Sequence, residues 1–160
     1  MTDKNILVAY FSATGVTAKL AARLAKITGG DLFEIKPLHP YTNADLNWMN
    51  KLSRSSIEMN DGRSRPEIET KVDDIAKYDV IFVGFPIWWY REPSIIDTFM
   101  ESYDFTDKMI VPFATSGGSS IGQCGENMQK LAPGAKVFVG DRFSTKTTDE
   151  ELKSWAEVWL

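Results

Sequence analysis

Short apolar runs recur along the chain, separated by stretches with helical spacing. Asn5 to Phe11, Asp31 to Ile35, Asp79 to Phe85, Lys108 to Thr115 and Ala135 to Val139 each have strand length. The first is apolar almost throughout, the pattern of a strand buried on both faces of a parallel sheet. Between the runs the period changes. Leu20, Ala21, Leu24 and Ile27 predict a helix over Ala18 to Ile27, stopped by Gly29 and Gly30. Thr148 to Glu151 matches a capping box, and Leu152, Trp155, Ala156 and Trp159 then share one helical face, which makes those tryptophans core residues. Strand and helix alternate five times. That rhythm predicts a parallel sheet with right-handed crossovers and helices on both faces. Ligands of such sheets bind beyond the carboxyl ends of the strands, where the strand order switches.

One stretch breaks the rhythm. Lys36 to Arg65 is polar and turn-rich, with a short helix expected around Ala44 to Leu52. It is too long for a plain connection, and such segments in compact domains commonly fold over a site.

Composition narrows the classes. A chain of 160 residues with 43% hydrophobic content suits a single domain spanning 1–160. A net charge of -4 gives no basic footprint for nucleic acid, so a small partner or weak protein contacts are expected. Cys124 is the only cysteine and His39 the only histidine, which excludes an intramolecular disulfide and a Cys/His metal cluster. The start MTDKNILVAYF shows no cleavage pattern and falls far short of the roughly 18 apolar residues of a membrane span. The expectation is a soluble cytoplasmic protein.

The candidate chemistry sits in three loops that end successive strands. Ser12 to Thr17 follows the first strand and opens a helix, so it offers free backbone N–H groups and the hydroxyls of Ser12, Thr14 and Thr17. Taken alone, Ser12 or Thr14 could be a simple helix cap. The loop lacks the lysine of a triphosphate loop and the three glycines of a dinucleotide fingerprint. Ala9, Tyr10 and Phe11 stand where a receiver domain would place acidic Mg²⁺ ligands. A monophosphate held by neutral donors fits best. The second loop, PIWWYREP, carries Trp88 and Trp89; an adjacent pair cannot lie wholly on one face, so one ring lines a cleft or the surface unless both are packing. The third, TSGGSSIG from Thr115, has glycines that let backbone amides approach a ligand. Phosphate site, aromatic wall and amide strip at one sheet edge describe a site for flavin mononucleotide (FMN).

At these residues the chain resembles the flavodoxin family, the standing example of FMN bound at such a switch point. The likeness is closest to a compact branch with PIWW and TSGGS loops. It runs from about Asn5 to the last helix and includes the middle segment PYTNADLNWMNKLSRSSIEMNDGRSRPEI and the run TFMESYDFTDKMIVPFATSGGSSIG. The resemblance implies a three-layer α/β/α fold, a five-stranded parallel sheet in the order 2-1-3-4-5, and FMN as cofactor. It places the phosphate on Ser12, Ala13, Thr14, Gly15, Val16 and Thr17. It sets the ring against Pro86, Ile87, Trp88 and Trp89, and the ring's polar edge against Thr115, Ser116, Gly117, Gly118 and Ser119. Flavodoxins commonly carry Asn where Val16 stands, and a glycine in the loop after the third strand. PIWWYREP has no glycine, so Tyr90 and its neighbours are expected to resist φ > 0.

Two functions compete: an electron carrier between redox partner proteins, and an NAD(P)H-dependent FMN/quinone-type reductase acting on a small-molecule acceptor. Arg54, Arg63 and Arg65 could meet a cofactor phosphate or lie in a solvated loop. A flavin-free interaction domain leaves the tryptophan and glycine loops unexplained. Cys124 could be a redox thiol or inert packing, and His39 has no acidic partner near it in sequence for general-base work.

Overall fold

The structure, a computed structural model, describes residues 4–160. The strands are β1 (Ile6–Tyr10), β2 (Asp31–Glu34), β3 (Val80–Pro86), β4 (Met109–Thr115), β5 (Lys136–Val137) and β6 (Asp141–Phe143). The helices are α1 (Val16–Thr28), α2 (Arg54–Met59), α3 (Ser94–Ser102), α4 (Cys124–Leu131) and α5 (Asp149–Ala156). All strand pairings in the sheet are parallel, in the order β2-β1-β3-β4-β5, with β6 also paired to β4. This is the expected α/β architecture and strand order.

The sheet has a core on each face because its central strands are apolar on both faces along most of their length. On one face Leu7, Ala9, Ile81, Val83 and Ile110 pack with residues of α3 and α4. On the other, Ile6, Val8, Val80, Phe82 and Val111 pack with Leu20 and Leu24 of α1 and Leu152 of α5. Each Val, Leu, Ile or Phe among them contributes about 1.5–3 kcal/mol by leaving water. Trp155 and Trp159 lie against Phe82, at ring centroid distances of 5.7 and 6.4 Å. The capping box at Thr148 and Glu151 is formed.

The fifth strand differs from expectation. Instead of running over Ala135 to Val139 it is split into β5 and β6 around Gly140. Phe138 N–H donates to the Ile110 carbonyl on that edge at 2.9 Å. Pro112, two residues further along β4, faces the same edge and has no N–H to offer, so the ladder breaks there. Gly140 takes φ 75° and passes so close to the Pro112 carbonyl that an added Cβ would lie 1.9 Å from its oxygen. Pairing resumes at Phe113 with Asp141 and ends at Thr115 with Phe143, which brings Arg142 to the carboxyl edge of the sheet.

The long segment also departs from the sequence reading. Residues 44–52 form turns, and the helix is Arg54–Met59. Asn47 and Asn50 accept through their side chains from the N–H groups of Met49 and Leu52, at 3.2 and 3.0 Å. Such local bonds compete with helix formation. Ser53, whose hydroxyl accepts from Ser56 N–H, caps the helix that does form. Among the described residues no helix is long and apolar enough to cross a membrane.

Candidate functional site

β1, β3, β4 and β6 end at one edge of the sheet, and their loops enclose a cleft with two joined lobes of about 620 and 690 Å³. Thr14, Val16, Ile87, Trp88, Thr115 and Ser119 line both.

On the first side, Phe11 ends the buried strand and α1 begins at Val16. The residue before the helix is Gly15, at φ 96°, and no side chain caps the helix. The Ser12 hydroxyl instead accepts from Gly15 N–H at 3.0 Å, which tightens the turn. Among the described residues no acceptor faces the amides of Ala13, Thr14, Val16 and Thr17. The simple-cap explanation of this loop therefore fails, and the helix start keeps the free donors of an anion site. Thr17 is not among the open hydroxyls: it is buried and hydrogen-bonded to Thr115 Oγ1 at 2.7 Å, which ties α1 to the end of β4.

The second side is a tight turn. Trp88 N–H donates to the Arg91 carbonyl at 3.0 Å and Arg91 N–H to the Trp88 carbonyl at 3.1 Å. Trp89 has φ 47° and Tyr90 φ 65°. The sequence expectation that these residues resist positive φ is overturned: both adopt the left-handed region, the geometry of a two-residue hairpin turn that usually takes Asn-Gly. Each such residue costs of order 1–3 kcal/mol and persists only where its surroundings hold it.

The holding contacts lie beneath. Arg91 donates to Asp97 Oδ2 at 3.1 Å and to the Glu92 carbonyl at 3.2 Å. Glu92 and Asp97 are both buried, and Asn127 donates to Glu92 Oε1 at 3.1 Å. Among the described residues no group is within hydrogen-bond geometry of Asp97 Oδ1. Burial, with the Glu92 carboxyl beside it, pushes the Asp97 carboxyl up to about 8, against the pull of the Arg91 and Arg65 guanidiniums.

The two tryptophans divide their tasks. Trp88 packs edge-on against Phe11 and Tyr41, at 5.5 and 5.4 Å between ring centroids. Trp89 and Tyr90 line only the outer of the two lobes.

The third side is the loop after β4. Thr115 is buried, whereas Gly117 and Gly118 are exposed. Arg142, which sequence reasoning missed, clamps this loop: its Nε donates to Ser116 Oγ at 2.9 Å and its Nη2 to the Ser116 carbonyl at 3.0 Å. Lys146 lines the same lobe. Ser12, Gly15 and Gly118 do not line the cleft, although each belongs to a loop that does. Leu46, Trp48 and Ser55 of the long segment form an outer wall that the sequence placed only as a possible cover.

Other candidates are tied off. Arg54 is bonded to Glu58 at 3.0 Å and stacks 3.8 Å over the Tyr41 ring. Arg65 pairs with Glu101. None of Arg54, Arg63 and Arg65 lines the cleft. Cys124 is fully buried, and burial pushes its thiol up to about 12, so it is packing rather than a thiolate. His39 is exposed and uses its carbonyl to accept from Arg54. Among the described residues no group of three or more His, Cys, Asp or Glu side chains could hold a metal ion.

A family model for flavodoxin matches residues 5–159. The chain belongs to the flavodoxin family. Among solved structures it is similar to a protein provisionally named a flavoprotein from Bacteroides eggerthii DSM 20697, at 49% identity and a TM-score of 0.92, covering 98% of each chain. A second, from Bacteroides uniformis ATCC 8492 and named in the same way, shares 46% identity at a TM-score of 0.91, covering 98% of this chain and 99% of the other. A third, a flavoprotein of Lactobacillus acidophilus NCFM solved in complex with FMN, is 24% identical with a TM-score of 0.71, covering 96% of this chain and 99% of that one, and shows the shared fold. A search of curated proteins finds no match.

Proposed function

We propose that this flavodoxin binds FMN in the cleft and works, as one domain, as a redox protein that passes electrons between partners. One observation carries the reading: the free amides at the start of α1 open into the same cleft as the Trp88–Arg91 turn and the loop from Thr115 to Ser119. The residues present fit the cofactor. Ala13, Thr14, Val16 and Thr17 would hold the phosphate through their amides, with the exposed Thr14 hydroxyl as an added donor. Pro86, Ile87, Trp88 and Trp89 would flank the ring, and the amides of Gly117 and Ser119 would meet its polar edge. The FMN complex of the L. acidophilus relative supports the same reading. When bound, FMN supplies reversible one- and two-electron chemistry. The chain's part is to anchor the phosphate by neutral donors, keep water from one ring face with Trp88 and fix the loop after β4 through Arg142.

A second reading, an FMN-dependent reductase of a small acceptor, is favoured by one feature. The outer lobe extends to Leu46 and Trp48, space that a carrier working by protein contact does not need.

Flavin fluorescence quenching on titration with FMN, FAD and riboflavin tests the cofactor. FMN should bind tightest. Thr14→Val should weaken FMN about 10-fold, the worth of one charge-assisted hydrogen bond, and leave riboflavin unchanged. Tighter binding of FAD, or equal weakening of FMN and riboflavin, refutes the assignment.

A further inference from the structure

Charge is distributed unevenly around the cleft. Among the described residues no Asp or Glu lines either lobe, and the second lobe carries two cations, Arg142 and Lys146, beside Ser116, Gly117 and Ser119. In a chain with a net charge of -4, that edge is locally positive. The sheet puts Arg142 there: Gly140 passes against Pro112, and pairing resumes with Arg142 opposite Ala114, one residue before the end of β4.

The guanidinium is bonded to the loop after β4 and to nothing acidic. Its Nε and Nη2 donate to the hydroxyl and carbonyl of Ser116, and the Ser116 hydroxyl donates in turn to the Ser119 carbonyl at 2.5 Å. Two carbonyls of the loop are thereby tied up. Among the described residues no acceptor faces the N–H groups of Gly117 and Ser119, so the loop keeps free donors with a positive charge beside them. The neighbouring carboxylate, Asp141, accepts from the Arg142 backbone N–H at 2.8 Å. Among the described residues no carboxylate pairs with the Arg142 guanidinium or the Lys146 ammonium. A half-buried cation without a counter-charge favours any ligand atom near it that gains negative charge.

We propose that Arg142 sets the reduction potential of the cofactor: its charge, fixed at the loop that carries the Gly117 and Ser119 amides, stabilises the negative charge that the polar edge of the ring gains on reduction. Lys146 adds a smaller share from an exposed position. This role rests on FMN occupying the cleft as set out above. Two electrons and one proton turn the neutral oxidised ring into an anion, and charge near the ring is a lever by which a protein tunes a flavin. A cation there makes the ring a readier acceptor of an electron pair and a weaker donor. The competing role for Arg142 is an anchor for the phosphate, whose charge is the same in both redox states and whose anchor strengthens both alike.

The test compares oxidised and dithionite-reduced FMN by anaerobic titration calorimetry, with the midpoint potential measured against a reference dye. Arg142→Gln should weaken the reduced cofactor about tenfold more than the oxidised one, the effect of a unit charge at a partly solvated edge, and lower the two-electron midpoint by about 30 mV. Arg142→Lys keeps the charge without the guanidinium fork and should keep the ratio of the two affinities. Lys146→Gln removes an exposed side chain with no hydrogen bond through its ammonium among the described residues. It should move the ratio the same way by about threefold, because water and salt screen it. Riboflavin, which has no phosphate, should show the same change of ratio as FMN. An equal loss of both redox states in Arg142→Gln makes the residue a clamp alone and overturns the proposal. So does a change seen with FMN and absent with riboflavin, or an Arg142→Lys variant that shifts the ratio as far as Arg142→Gln. If Arg142→Gln does not fold, an unchanged ratio in Lys146→Gln overturns it instead. Failure of the wild type to bind FMN is visible before any reduction and removes the cofactor reading, whereas FMN binding with an unchanged ratio removes this role alone.

Discussion

The Ser12–Thr17 loop and the Trp88–Arg91 turn face each other across one cleft and are built in opposite ways. The first puts its positive φ on Gly15, where nothing lies within 4 Å of an added Cβ, and leaves its amides open. Its geometry is close to what the local chain prefers. The second puts positive φ on Trp89 and Tyr90, which prefer other conformations, and holds them through Arg91 to Asp97 six residues on. The first loop offers backbone amides to the cleft, a role that does not depend on the side chain at Val16. The second presents large side chains to the cleft, and its shape depends on a buried ionic cluster. A ligand site of this kind has one side set by local sequence and another set by tertiary contacts.

Breaking the cluster should give the largest effect. Arg91→Ala removes the guanidinium that donates to the buried Asp97 carboxyl at 3.1 Å and to the Glu92 carbonyl at 3.2 Å. Arg91 is a quarter exposed and Asp97 keeps its proton below about pH 8, so the contact is a hydrogen bond from a charged donor, and its loss costs about 1.5–3 kcal/mol. Urea unfolding should show that loss. The same substitution should loosen the turn, seen as a tryptophan emission spectrum shifted to the red as Trp89 becomes wetter. A loss under about 1 kcal/mol would mean that the turn holds itself.

This difference also decides what the sequence made legible. The strands were readable because Ile6 to Ala9 and Val80 to Phe85 are apolar on both faces, a pattern that only a doubly covered sheet explains. The loop at Ser12 was readable because its features are local. Three things were not. The positive φ at Trp89 and Tyr90 runs against their own preference and is imposed by Asp97. Arg142 reaches the site because Pro112, on another strand, breaks the fifth strand. Ser55 enters the cleft because Asn47 and Asn50 turn the preceding residues and move the helix to Arg54–Met59. In each case the deciding residue lies elsewhere in the chain from the residue it positions.

The same cluster gives a pH dependence. The ordinary carboxyl value for Asp97 is 3.8, and the folded value is about 8. Between those values the folded chain keeps a proton that the unfolded chain has released. Stability from this group is therefore full below about pH 4 and is lost as pH rises toward 8. Each unit of elevation corresponds to about 1.4 kcal/mol. Asp97→Asn keeps an acceptor for Arg91 and cannot titrate, so it should flatten the fall in urea-unfolding free energy between pH 5 and pH 8. An unchanged slope would assign the fall to other groups.

The smallest effect concerns the strain itself. Tyr90 is 82% exposed, so its removal forfeits little packing, and its φ of 65° is one that glycine adopts freely. Relief of the left-handed conformation is worth about 1–2 kcal/mol. Glycine gives back about 0.4–1 kcal/mol through the added freedom of the unfolded chain. The net expectation for Tyr90→Gly is a gain of about 0.5–1 kcal/mol, or a melting temperature higher by about 1–4 °C for a chain of this size. Tyr90→Ala is the companion measurement, because alanine removes the same ring and keeps the Cβ that conflicts with positive φ. It should gain nothing. If both variants lose stability alike, the ring's contacts outweigh its strain and the turn is held by packing. If glycine alone gains, the Trp88–Arg91 turn stores energy that the first loop, with its own glycine at Gly15, does not.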